Sequence, residues 1–530
     1  MSKFSPLHSI DRRSFIALGA GGLSALLVAC GGTDAPVSTS TPTPSPSPTQ
    51  PPKLTNSEWK RLGQNLKGEL VRPDSSKYET ARQLFNPRFD GIKPAGIAYC
   101  TSVDDVKTCL SFAKRFNLPF TPRSGGHSYA GYSTGTGLII DMTRVNKIDV
   151  NAGGGTATIG GGARLIDVYS ALTDQGVIMP AGSCPTVGVA GLTMGGGIGV
   201  LGRKYGLTCD NLLSAQVVLA DGRVVTCDEN SEPDLFWGLR GGGGGNFGVV
   251  TSFTFKVQPL TSVTLFTLGW AWEHAADAFD AWQNWAPQAP DEVWSNFLFL
   301  ADKNSGPLAR VNGVYVGDEA GANAQLQQLI NQIGIAPTSN SVFQSGVLDA
   351  MLYEAGCYGK SVEQCRLPSM DPQGQIQREI DIAKSHYFSN KLPRAGIDAL
   401  VNAINQRQNN GSFVGGGIGI DAYGGVINRV AKDATAFAHR DALFAAQYTA
   451  TYEPGDADDL VAANRSWLKD TWQAMNQHAN GTAYQNYIDP DLDNWQQAYY
   501  GDNLARLKHV KASYDPNNFF HFAQSIPPAK

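Results

Sequence analysis

The chain has no excess of positive charge. Across 530 residues, 42 Lys and Arg face 47 Asp and Glu, a net charge of −5, so nothing marks a nucleic-acid surface. Beyond the first thirty residues no second apolar run could span a bilayer. No metal is expected. What remains is an ordinary globular composition with one local excess, glycine. Between Ala181 and Asn211, seven glycines fall from Gly188 to Gly202, and Cys184 stands just ahead of them. Glycine at that density lets backbone come within contact of a ligand. A packed core gains nothing from such a run, whereas a large flat cofactor does.

Within it, Gly197, Gly199 and Gly202 spell G-x-G-x-x-G, with Asp221 beyond, a superficial dinucleotide fingerprint. That fingerprint needs a hydrophobic strand directly before it, and the Gly-rich Thr186–Met194 makes a poor one. Asp221-Gly222 instead reads as the turn of a hairpin between QVVLA and RVVTC.

Residues 1–30 read as an export signal. Arg12-Arg13 precede a short apolar run that ends at Leu27-Val28-Ala29-Cys30, the pattern of the twin-arginine route. Cys30 sits where a lipoprotein is cleaved and acylated, and the alternative is a soluble secreted protein cut nearby. The expected location is periplasmic or cell-surface, with membrane contact only through that anchor. Residues 31–53 are Ser/Thr/Pro-rich, a tether unable to bury apolar surface. The remainder is too long for one core and suggests two joined domains.

From Gly96, strands alternate with helices. Ser102 and Asp105 read as a capping box. Arg123-Ser-Gly-Gly-His127-Ser-Tyr129 follows; consecutive Gly N–H groups beside an arginine form an anion-binding concavity. A lone loop histidine would be solvated by default, but Gly125-Gly126 directly before His127 weakens that reading. A second Gly-rich approach, Gly241 to Asn246, leads into the strand VVTSFTFKV. Beyond residue 262 the strands TLFTLGWAW, SNFLFLAD, ARVNGVYVG, GSFVGGGIGIDAYGG and ALFAAQYTATY are interspersed with helices near 274–285, 320–332 and 457–478. That order fits an antiparallel sheet with helices on one side. Its aromatics suit a ringed substrate, though core packing explains most of them equally well.

RSGGHS, the Cys184 stretch, KYGLTCDN, DLFWGLRGGGGGNFGVVTSFTF and the closing YDPNNFF…QSIP together resemble the FAD-linked oxidases of the berberine bridge enzyme group, which includes oligosaccharide oxidases. The resemblance runs from about Gly96 to the C-terminus. It implies an α+β protein: a two-lobed PCMH-type (vanillyl-alcohol-oxidase-type) FAD-binding domain, residues 54–262; a substrate domain with a large antiparallel sheet, 263–480; and a segment, 481–530, returning to the first. It implies FAD held by two covalent bonds, from His127 and Cys184. The implied cofactor wall is Arg123, Ser124, Gly125, Gly126 and Ser128; Thr186, Val187, Gly188, Gly191, Gly195, Gly196, Gly197 and Gly199; and Asn246, Gly248, Val249 and Asn486.

Hydride removal from a C–OH carbon needs a base on the hydroxyl proton. Tyr484-Gln-Asn-Tyr487-Ile-Asp489 resembles the family's motif, making Tyr487 the base, with Asp421 (of D-x-x-G-G), Tyr129 and Gln447 beside it. Asp421 has a second reading, as a cap for the Gly424-Gly425 turn. Ala445 stands where the ring-closing plant branch has a glutamate. Val187, three past Cys184, resembles the oxygen-permissive type. The implied substrate is a sugar, polyol or other ringed alcohol, with O₂ as acceptor and a monomer as the working unit. The rivals are a dehydrogenase using another acceptor and a flavin-retaining binding protein without turnover. Of the other cysteines, Cys357 and Cys365 flank a short polar loop and are the expected bridge. Cys100 and Cys109 either pair or stay as buried thiols.

Overall fold

A computed structural model of the chain describes residues 51–530 except 303 and 411–414. The export signal, Cys30, most of the tether and the start of the GSFVGGG stretch lie outside the described residues. Among the described residues no helix is long and apolar enough to cross a membrane.

The N-terminal lobe is a four-stranded sheet ordered Glu69–Val71, Gly96–Tyr99, Leu138–Asp141, Phe120–Arg123. Its last three strands run parallel. They are covered by the helix Val103–Phe116, whose Val106, Cys109, Leu110 and Phe116 enter the core. Ser102 caps that helix through Asp105 N. The capping box is only half made, because the Asp105 carboxylate turns instead to the backbone N–H groups of Lys67 and Thr101. Arg123 closes its strand, so the Ser124–Tyr129 loop leaves from the carboxyl end of a parallel sheet, where ligands of such sheets bind.

The second lobe is a five-stranded antiparallel sheet: Ile148–Asn151, Thr156–Gly160, Val249–Lys256, Leu212–Val218, Val224–Cys227. Its last two strands form the expected hairpin, with Gly222 at φ +87°. Asp221 is occupied in that turn by the backbone and side chain of Arg223, which removes the dinucleotide reading.

The third unit is a seven-stranded antiparallel sheet ordered Ser339–Gly346, Ser262–Trp270, Leu308–Tyr315, Val293–Leu300, Gly415–Ala422, Phe444–Tyr452, Ile380–Phe388. One face packs against the helices Ala275–Trp285, Glu319–Ile333, Arg394–Asn410 and Asp458–Met475 through Phe279, Trp282, Leu326, Leu400 and Leu468. The period of two along a strand sends Ile380, Ile382, Ile418, Ile420, Ala446 and Tyr448 to that face. Asp381, Asp421 and Gln447 therefore stand on the other.

Buried arginines tie this sheet to the first two lobes. Arg203 donates to the carbonyls of Val293, Ala289 and Tyr423, and Arg440 pairs with Asp210 at 2.6 Å. The C-terminal helix Leu504–Tyr514 returns to the first half, where Lys511 Nζ donates to Asn246 O at 2.6 Å. Cys357 and Cys365 are bridged. Cys100, Cys109, Cys209 and Cys227 are buried free thiols.

Candidate functional site

A cavity of about 700 Å³ opens among these units, walled by the 120–129 and 182–194 segments, the loops 244–250 and 355–381, and the turn 484–488. Its size lies inside the ~300–1,000 Å³ range of small-molecule sites.

One wall is backbone. The loop after Arg123 crosses the loop before the helix Val189–Met194 at Gly125 and Gly188, where a Cβ on either glycine would collide with the backbone nitrogen of the other. Gly126, at φ +72°, turns the chain so that His127 faces the cavity, stacked on Phe85 at 4.1 Å. His127 Nε2 lies 2.8 Å from Thr186 Oγ1. Burial, then the nearby Arg164 charge, lowers its pKa to about 3, so the imidazole is neutral at any working pH. Cys184 is open to the cavity space but enclosed by the surrounding walls. Burial, then Asp381 and Glu379, raise its pKa to about 11, and it rests as a thiol. Arg123 is less free than its motif suggested: its Nε pairs with buried Asp141 and its Nη2 donates to Ala81 O. Its charge is thereby compensated, and only Nη1, buried on the cavity wall, has no partner.

The opposite wall is side chain. Tyr484 accepts hydrogen bonds at its hydroxyl from Gly197 N (3.0 Å) and Ile198 N (3.3 Å), and its own N–H donates to Ser385 Oγ. These bonds fix the turn that carries Tyr487 into the cavity. Tyr487 meets Tyr129 edge to face at 5.9 Å, and the Tyr129 hydroxyl accepts from Gln447 Nε2 at 2.9 Å. Burial, then Asp421, Tyr129, Tyr484 and Cys184, hold the Tyr487 phenol far above its usual range. Asp421 lies in the strand Gly415–Ala422, cross-strand from Asn296 and Ala445. Burial pushes it up to about 6, against a hydrogen bond from Asn296. It does not cap the glycine turn, since Gly424 N donates to Asn428 Oδ1 instead.

Of the residues expected from sequence, Arg123, Ser124, Gly125, Gly126, His127, Ser128, Tyr129, Cys184, Thr186, Val187, Gly188, Gly191, Gly248, Val249, Asn486 and Tyr487 line the cavity. Gly195, Gly196, Gly197 and Gly199 stand behind the wall, where a Cβ would strike Asn486, Phe437, Thr208 and the Ala181 carbonyl. They are required by protein packing rather than by a ligand. Asn246 is likewise a clasp: its Oδ1 accepts from Ile526 N and its Nδ2 donates to Gly242 O. Gln447 and Asp421 stand one layer back, reaching the cavity through Tyr129 and Tyr487.

Sequence reasoning missed Glu379 and Asp381 on the wall, and Glu354 beside Asp421. Burial, then Glu379, raises Asp381 to about 7, and burial, then Asp421, raises Glu354 to about 7. Only the alternation in IDIAKSHYF could have exposed Asp381, by marking a strand; the other two sit in no motif.

The wall suits a large cofactor bearing a flat ring and phosphates: backbone crossings without side chains, an unpartnered guanidinium nitrogen, and a neutral imidazole and thiol facing one space. Comparison with known proteins agrees. The model for an FAD binding domain matches residues 94–228, and that described as berberine and berberine like matches 483–527. An FAD-linked oxidoreductase of Bacillus subtilis, YgaK, is 33% identical over 88% of this chain and 98% of its own. The chitooligosaccharide oxidase of Gibberella zeae is 32% identical over 82% of this chain and 88% of its own. The structure of Physcomitrella patens BBE-like 1 superposes with a TM-score of 0.80 at 32% identity, covering 89% of this chain and 99% of that one. With the 120–129 and 182–194 walls and the 484–488 turn inside the matched family models, and with relatives about one-third identical that cover 82–89% of the chain, this protein belongs to the berberine bridge enzyme-like family and is an FAD-dependent oxidoreductase.

Proposed function

We propose that the protein oxidises an alcohol or hemiacetal carbon of a sugar or related polyol, with Tyr487 Oη receiving the hydroxyl proton. The observation that carries this reading is that Tyr487 and Tyr129, the latter held by Gln447 from one layer back, line the same cavity as His127 and Cys184. His127 and Cys184 would hold FAD there, and the bound flavin would supply the hydride acceptor. Tyr129, fixed by Gln447, orients the substrate against the Tyr487 ring. An ionised carboxylate beside a phenol opposes phenolate, so Tyr487 takes the hydroxyl proton only as its own phenol proton passes to Asp421, which acts as a proton acceptor and not as a stabiliser of the tyrosine anion. Its pKa near 6 suits that task at neutral pH. His127 is ready as a neutral nucleophile, whereas Cys184 must first lose its proton. Ala445 leaves no carboxylate at its strand position for ring closure. Val187 favours O₂ as the acceptor over a dehydrogenase partner. The similarity to a chitooligosaccharide oxidase supports a saccharide over an aromatic alcohol.

The test is an anaerobic screen of flavin bleaching with sugars, polyols and aromatic alcohols, followed by re-admission of air. Bleaching by sugars and rapid recolouring with H₂O₂ release are expected. Recolouring only with an added dye would favour the dehydrogenase, and no bleaching by any alcohol would favour the binding protein. We further propose twin-arginine export of the folded monomer and acylation of Cys30; Cys30→Ser should then leave the membrane fraction, and an unchanged fraction would remove the anchor.

A further inference from the structure

Among the described residues only four large apolar side chains are exposed: Leu213, Val224, Tyr358 and Met370. Leu213 and Val224 are lone residues on the hairpin strands, and scattered singles are normal. Tyr358 and Met370 both lie on the segment between Ala355 and Glu379 that lines the cavity. Tyr358 is 62% exposed. Its ring meets Tyr353 at 5.6 Å and Phe343 at 6.3 Å, and Phe343 meets Tyr353 at 5.8 Å. The three rings come from a loop, the helix Val347–Glu354 and the strand Ser339–Gly346, so they form one assembled surface.

That surface is held in place. The Cys357–Cys365 bridge sits directly beside Tyr358, with Cys357 fully buried. Arg366 anchors the same loop to Asp167 of the flavin-side half at 2.7 Å. On either side of Tyr358, Gly356 and Lys360 belong to the cavity wall, as do Gln375 and Gln377 farther along the loop. An exposed tyrosine adds little to stability, while a rigid aromatic offers contact area at low entropic cost.

We propose that Tyr358, with Tyr353 and Phe343, forms a second subsite for a sugar unit of an oligosaccharide, remote from the carbon being oxidised. This deepens the saccharide reading above and rests on it. The C–H face of a sugar ring stacks on the aromatic surface, and its edge hydroxyls take hydrogen bonds from Lys360 and the Gln375 and Gln377 amides. A second copy of the chain is the weaker occupant, because three rings fall far short of the ~1,200–2,000 Å² that a stable interface buries.

The probes are glucose and cellotetraose, titrated calorimetrically into the flavin-loaded protein. The wild type should bind cellotetraose more tightly than glucose, and Tyr358→Ala should cut that ratio by about tenfold, equivalent to about 1.4 kcal/mol. Tyr358→Trp should restore it, and Leu213→Ala, also exposed, should not change it. Equal ratios in wild type and Tyr358→Ala, or no preference for the longer sugar, would overturn the subsite. So would a fall in sedimentation mass in Tyr358→Ala with the ratio intact, which would mark a dimer contact. If neither sugar bleaches the flavin while the ratio still depends on Tyr358, the proposed reaction fails and the subsite stands.

Discussion

The wall at Gly125 and Gly188 is made of crossing backbone, whereas the wall on the seven-stranded sheet is made of side chains alternating off pleated strands. The two tolerate change differently. A backbone crossing has no room for even one methyl, so every residue in it is constrained together, and the constraint appears in sequence as a long unbroken motif. A strand face constrains only every second residue, and each can change without moving its neighbours. The first wall is built to hold one cofactor. The second can be re-cut for different substrates and can carry carboxylates, such as Asp421 and Asp381, whose burial raises their pKa.

Three substitutions break or sharpen that contrast. Gly188→Val should be the most severe, because its Cβ would collide with Gly125 N and Ser124 Oγ; the protein should purify without flavin, read as absorbance near 450 nm against 280 nm. A normal flavin content would show that the crossing can relax. Asp210→Asn strands the buried Arg440 guanidinium between the halves. Breaking one partner of such a pair costs about 3–5 kcal/mol, which should appear in the denaturant midpoint; a shift below about 1 kcal/mol would mean that water reaches the site. Asp421→Asn should be mildest, leaving the flavin bound and slowing its reduction roughly tenfold, or about 1.4 kcal/mol of barrier. Asp421 accepts a proton only when ionised, so the wild-type rate should rise with pH through about 6. The asparagine variant should lack that limb, and a persisting limb would assign it to Asp381 or Glu354.

The same contrast explains what the sequence made legible. RSGGHS and the Cys184 stretch were readable because close backbone approach admits few residues. The Asp221 hairpin was readable from its turn. Overreading occurred where glycine serves two ends: Gly195, Gly197 and Gly199 look like cofactor contacts but make room for Asn486, Thr208 and Ala181. Arg123 looked like a free cation until its partner Asp141, on the neighbouring parallel strand, came into view. The alternation in IDIAKSHYF marks the strand Ile380–Phe388 but not which of its faces meets the cavity, so Asp381 carries no signature of its own. Which face of a strand meets a cofactor is decided by packing between distant segments, here the turn 484–488 docked onto Gly197 and Ser385.

The central claim, that Tyr487 takes the substrate proton beside a flavin held at His127 and Cys184, is tested most directly by anaerobic stopped-flow. Flavin reduction by the best sugar from the screen would be compared in wild type and Tyr487→Phe, which keeps the ring and its edge contact with Tyr129. The account predicts a fully flavinylated variant reduced about 10²–10⁴-fold more slowly, the usual loss on removing a general base. Reduction at the wild-type rate would contradict it.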